Sequence, residues 1–208
     1  ENMKIYIPKV LQSEYEENEL WNQYDLSVHQ TNVIFELNGG SCTVTSGSIY
    51  YQDFISLPTP IRENYTFDGW YDNPQFAGLK LNQGDLWNSL AESATLYAKW
   101  LPVQYSITYY PDGGEMSSTN SYYTVEDAVE FPIPTKDGNT FDGWYYDQSL
   151  TQSAGTGFAA GATGNKSLYA KWLPNTYTVL LDLNDDEKDR AVISSTSAVV
   201  TFGESYVL

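Results

Sequence analysis

The chain has 208 residues, room for one large domain or two to three small ones, and a formal net charge of −17. So acidic a surface excludes nucleic acid and anionic membrane as direct partners, because both present negative charge. Aromatic residues make up 15% of the sequence, which excludes a disordered chain, and no apolar run nears the ~20 residues of a membrane span.

The first segment, Lys4-Ile5-Tyr6-Ile7-Pro8, predicts a short strand that proline ends. Ser13 and Glu16 have capping-box spacing, and a helix is expected to follow with Tyr15, Leu20 and Tyr24 on one face and Trp21 beside them. His29 and Cys42 are the only residues of their kinds. No intrachain disulfide can form, zinc lacks a ligand set, and no motif joins the two as base and nucleophile. No catalytic residue, metal ligand or cofactor is expected. Glu1 is not an initiator methionine, so the chain reads as a piece of a longer protein and the absence of a signal peptide says little.

From residue 30 onward the sequence repeats. Thr66-Phe67-Asp68-Gly69-Trp70-Tyr71 returns as Thr140-Phe141-Asp142-Gly143-Trp144-Tyr145, and Leu96-Tyr97-Ala98-Lys99-Trp100-Leu101-Pro102 as Leu168-Tyr169-Ala170-Lys171-Trp172-Leu173-Pro174. Asn38-Gly39-Gly40 matches Asp112-Gly113-Gly114. Blocks recurring in one order define a tandem unit. The boundaries are 1–29, 30–102, 103–174 and a partial third copy at 175–208, which begins Val179-Leu180-Leu181-Asp182-Leu183-Asn184. Half a unit cannot bury its own face, so this last segment is expected to continue beyond residue 208 or to be poorly ordered. Whether it folds alone, swaps into a neighbour or pairs into a dimer is left open.

Within a unit, Val33, Phe35 and Leu37 alternate with Ile34 and Glu36, the period of a strand with one core face. The glycine pairs at 39–40 and 113–114 supply a tight turn, and the next strand covers roughly 43–51. Phe67 and Trp70 differ in parity, which predicts a bulge at Gly69. Leu96, Ala98 and Trp100 face one way on a closing strand, and a short helical turn is expected within Gly84–Ser93. Asp68 and Asp142 are expected to satisfy backbone N–H groups of their own turns.

The order of VIFELNGG, LPTPIRENYTFDGWY and LYAKW resembles the Listeria–Bacteroides repeat, over residues 30–102 and again over 103–174. That resemblance implies an α+β, mostly β fold: small β-grasp-like domains in an elongated array, found in large bacterial surface proteins. Tyr110-Pro111-Asp112 departs from the pattern in the second copy, and Asp185-Asp186 replaces the glycine pair in the third. The first 29 residues are similar to the end of a BspA-like leucine-rich repeat array, which implies a leucine-rich recognition domain upstream in the same chain.

Other constellations fail on chemistry. Asp182–Asp186 begins like a calcium loop, but Glu187 stands where glycine is needed and Ile193 where a bidentate glutamate should close the shell. Gly155–Gly161 has the wrong spacing for a nucleotide loop and belongs to the length-variable loop of repeat two. Trp70, Trp144, Trp100 and Trp172 recur and are expected in the core. Trp87 does not recur, which leaves two readings: partial burial in its loop, or exposure, in which case it would offer a face for a sugar with Tyr71, Tyr50 and Tyr51. The expected function is non-enzymatic: a stalk or spacer on a bacterial cell surface, or in a secreted protein, that displays an adhesive domain. The alternative is a binding module for host protein or glycan, through loop aromatics and open sheet edges.

Overall fold

The computed structural model describes residues 4–117, 119–180 and 197–206. The expected third-copy turn and calcium-like loop at Asp182–Asp186 lie outside the described residues. Two compact units divide the chain, 1–103 and 104–208.

The first unit opens with β1 (Lys4–Tyr6), a 3-10 turn at Lys9–Leu11, α1 (Gln12–Glu17) and β2 (Asp25–Ser27). β1 and β2 pair in parallel, Lys4 with Asp25 through Tyr6 with Ser27. The capping box does not form. The 3-10 turn that follows Pro8 runs straight into the helix, so Leu11 is the N-cap and Ser13 lies inside. The helix also ends at Glu17, before Leu20. The apolar face becomes a ring ladder instead, with Tyr15 to Trp21 at 5.5 Å and Trp21 to Tyr24 at 6.0 Å.

Repeat 1 contributes β3 (Gln30–Glu36), β4 (Ser46–Tyr50), β5 (Tyr65–Tyr71), β6 (Lys80–Leu81) and β7 (Ser93–Pro102). They form one mixed sheet in the order β4-β3-β7-β5-β6, with first and last strands parallel at its centre. Alternation decides the core: Val33, Phe35, Leu96 and Ala98 are buried with Trp70, Ile49 and Ile55. Phe67 pairs with Trp100 and Gly69 with Lys99, so Asp68 is the extra residue of the predicted bulge. Gly69 and Gly143 take φ of 149° and 135°, a region that favours glycine.

The second unit has β8 (Tyr105–Tyr110), β9 (Tyr122–Tyr123), β10 (Val129–Glu130), β11 (Asn139–Tyr145), β12 (Ser153–Gly155), β13 (Gly157–Phe158) and β14 (Lys166–Pro174), then β15 (Thr176–Leu180) and β16 (Ser197–Thr201). The sheet order β12-β11-β14-β8-β9 is that of repeat 1. β15 and β16 pair separately, in the register of β3 and β4: Tyr177 faces Val200 as Thr31 faces Ile49. The core-face residue Val179 is 39% exposed, against 1% for Val33 and 4% for Ile107 in the complete sheets.

Three local expectations are corrected. No helical turn forms within 84–93, because the backbone there bonds across to 52–55: Ile55 donates to Asp85 O, and Trp87 and Gln52 exchange bonds with Asp53 O and Trp87 O. Gly155–Gly161 is not simply a loop, since β13 pairs with β10 and Phe158 packs against Tyr123 and Phe131. In the hairpin turns positive φ falls on Asn38 and Gly39, and on Asp112 and Gly113, and not on Gly40 or Gly114.

Candidate interaction surface

The four aromatic residues singled out for ligand stacking do not form one surface. Trp87 is 6% exposed and belongs to the repeat 1 core. Its Nε1 donates to Thr31 Oγ1 at 2.9 Å, and Thr31 Oγ1 donates to Ala91 O at 2.7 Å. A buried indole needs such an acceptor. Phe158 provides the aromatic bulk of repeat 2 in this region, with no polar group to satisfy.

Tyr71 is 8% exposed. Its Oη donates to Asp68 Oδ2 at 2.9 Å, and its ring meets Phe76 edge-on. Tyr50 and Tyr51 are half-buried, with the Lys9 ammonium 3.8 Å from the Tyr50 ring centroid. Tyr50 is level with Gln30 on β3, whereas Tyr71 is level with Tyr97, which pairs with Glu36. Six residues of strand separate the two levels, roughly 20 Å.

The bulge aspartates carry ion pairs, not the expected backbone contacts. Asp68 lies 2.9 Å from Lys80 and 3.2 Å from Lys99. The Lys80 hydrogen bond is the main cause that lowers the Asp68 pKa to about 2, with Tyr71 and Lys99 adding to it against the opposing effect of burial. Asp142 has one lysine partner, Lys171, at 2.7 Å. The bond to Asp142 raises the Lys171 pKa, as the bond to Asp68 raises that of Lys99.

A different aromatic pair reaches the surface, with Tyr110 exposed and Tyr169 half-buried. Tyr110 and Tyr169, opposite each other on β8 and β14, stack at 4.6 Å with planes 6° apart. They line a groove of about 520 Å3 with Tyr109, Asp112 and Gln148. Tyr109 Oη is buried without a hydrogen-bond partner among the described residues, and burial raises its pKa. Sequence reasoning passed over this pair because Tyr169 recurs as Tyr97 and reads as scaffold. The signal was the replacement of Glu36 by Tyr110.

Among the described residues no group of three or more His, Cys, Asp or Glu is placed to hold a metal ion. No described helix is long and apolar enough to cross a membrane.

Fold and surface together define a tandem repeat protein, mostly β, whose recurring side chains are engaged in packing and intra-repeat ion pairs. The model of the Listeria–Bacteroides repeat domain matches residues 32–99 and 105–171, and the chain belongs to that family. It is 35% identical over 151 residues to internalin H of Listeria monocytogenes, covering 68% of this chain and 25% of that protein. It is 32% identical over 166 residues to a protein of Evansella cellulosilytica that carries the name of a Gly-rich membrane protein, covering 76% of this chain and 19% of that one. The chain thus spans about a quarter or less of the curated relatives it matches.

Proposed function

We propose that the chain is a non-enzymatic repeat region of a bacterial cell-surface or secreted protein, acting as a semi-rigid spacer that displays an adhesive domain. Membership of the repeat family and likeness to an internalin support the surface setting. The observation that carries the spacer role is the joint after each repeat. Val103 N–H donates to Asn64 O at 2.9 Å, and Asn175 N–H donates to Gly138 O at 2.8 Å. Each joint is tied to the repeat before it, and the next strand starts within two residues, at Tyr105 or Thr176. Little slack remains for reorientation.

On this reading 30–102 and 103–174 are complete repeats and 175–208 the start of a third. Each complete repeat is a grasp-like sheet in which an irregular crossing segment takes the place of the helix. Residues 1–29 cap a leucine-rich repeat domain in the same chain. The parallel pairing of β1 with β2 at an offset of 21 residues supports the cap, being within the period of such repeats. Small-angle scattering of the chain, and of a variant with eight Gly/Ser residues inserted after Val103, tests the spacer. The parent is expected to scatter as one extended, stiff particle and the insertion variant as a flexible one; indistinguishable curves would overturn the role.

A second reading is a binding module for host protein or glycan, favoured by the Tyr110–Tyr169 stack, exposed at Tyr110, and the groove beside it. Binding from a glycan and protein panel that Tyr110→Ala abolishes is the expected result. A blank panel rejects it.

A further inference from the structure

The two repeats differ where their parallel strand pairs end. In repeat 1, alternate carbonyls from Glu92 along β7 accept from β3, beginning with Asn32 N–H on Glu92 O at 2.9 Å. β3 stops pairing at Glu36, level with Tyr97, so the next carbonyl of that series, Ala98 O, lies past the strand end. Asn38 reaches it with its side-chain amide, Nδ2 donating at 2.8 Å. The same ladder in repeat 2 stops at Tyr110 and Tyr169, and Asp112 stands in the place of Asn38. A carboxylate only accepts. Among the described residues no side chain, and no backbone N–H of the 111–114 turn, donates to Ala170 O, although Ala170 is buried. A buried carbonyl is costly to leave without a donor.

Ala170 lines the same groove of about 520 Å3 as Asp112, Tyr110, Tyr169 and Gln148. Register puts the two tyrosines on one face of the sheet, opposite the core-facing Ile107 and Leu168. Tyr110 replaces Glu36 of repeat 1, so the copy that lost an amide donor has gained an exposed ring in the same groove as a carboxylate. Lys136 also approaches Asp112, but its Nζ donates to the backbone Asp112 O at 2.7 Å and stands 3.5 Å from Oδ2. The Asp112 side chain stays 77% exposed, so its carboxylate can take a second donor.

We propose, resting on the reading of the chain as a binding module, that this groove in repeat 2 holds an arginine side chain of a partner protein. The guanidinium donates to Ala170 O and to the Asp112 carboxylate and lies flat against the Tyr110 ring. Arginine suits the site better than lysine, because its plane stacks on an aromatic face and its five donors serve two acceptors at once. A sugar hydroxyl supplies a donor but no charge for Asp112. The net charge of −17 raises the rate of encounter with a basic partner.

The test is an NMR titration of the whole chain with blocked Gly-Arg-Gly peptide. Gly-citrulline-Gly serves as the planar, uncharged isostere and Gly-Lys-Gly as the charge without the plane. The Lys171 backbone N–H is followed, since it shares a peptide group with Ala170 O. A saturable shift is expected with the arginine peptide, and at least about five-fold weaker binding with either analogue. Asp112→Asn restores the amide of repeat 1, with a residue that tolerates the φ of 48° at that position. It should weaken the arginine peptide at least about five-fold. Glu130→Gln makes the same charge change outside the groove and should leave affinity within about two-fold. The proposal is overturned by an unmoved Lys171 signal, by equal binding of either analogue, or by Asp112→Asn binding as the parent does or no more weakly than Glu130→Gln. If a panel protein binds and Tyr110→Ala abolishes it while the arginine peptide does not bind, the arginine assignment falls and the binding-module reading stands.

Discussion

The indole of Trp100 occupies the space that a side chain at Gly40 would need: a Cβ there would overlap the ring at Cζ2. Trp172 stands in the same relation to Gly114. Each indole also donates its Nε1 hydrogen to the residue that links strand and turn, Trp100 to Leu37 O and Trp172 to Pro111 O, both at 2.9 Å. The second glycine of each pair therefore serves close packing, while the first serves the turn.

Gly40→Ala is expected to destabilise repeat 1 by about 1–3 kcal/mol, because the added methyl forces a packed ring aside. Trp100→Phe shortens that ring, so the double variant should lose less than the sum of the two single ones. Urea unfolding of the four proteins as a double-mutant cycle measures the coupling.

Trp87→Ala should cost about 3–5 kcal/mol, as a buried aromatic leaves a cavity and Thr31 Oγ1 loses its donor. Chemical denaturation gives the number. A loss below about 0.5 kcal/mol would place the ring on the surface after all.

The depressed Asp68 pKa has a definite sign in stability. A carboxyl held at about 2 when folded, against an ordinary value of 3.8, stabilises the folded state above the ordinary value. That contribution falls away as pH drops from 3.8 through about 2. The stability difference between the parent and Asp68→Asn is expected to shrink across that window and to be constant above pH 5. Unfolding curves at stepped pH, with the carboxyl followed by NMR, check both.

Phe202 sits against Gly138, where any Cβ would collide with its ring, and its N–H donates to Asn175 O at 2.9 Å. This contact seats the β15–β16 hairpin on repeat 2. Phe202→Ala should leave the repeat 2 core intact and speed hydrogen exchange in β15 several-fold, read by mass spectrometry.

Much of the fold was legible in the sequence because its causes are short-range. Alternation in 33–37 and 96–100 follows from strand geometry, and the parity break between Phe67 and Trp70 requires an extra residue. The missed features share a long-range cause. The burial of Trp87 rests on Thr31, 56 positions away, and on the backbone of 52–55 taking up bonds that a helix would have made internally. Lack of recurrence was a poor guide to exposure, since Phe158 provides the aromatic bulk of repeat 2 without the indole.

By itself, the sequence determined the repeating unit, its strands and bulge, and the aromatic residues that recur in its core, since periodicity and turn chemistry act within a few residues. Only the tertiary structure decided which lysine reaches which aspartate. That choice depends on strand register: it brings Lys80 across Gly69 onto Asp68 and puts a short serine in the matching place of repeat 2, where Asp142 holds Lys171.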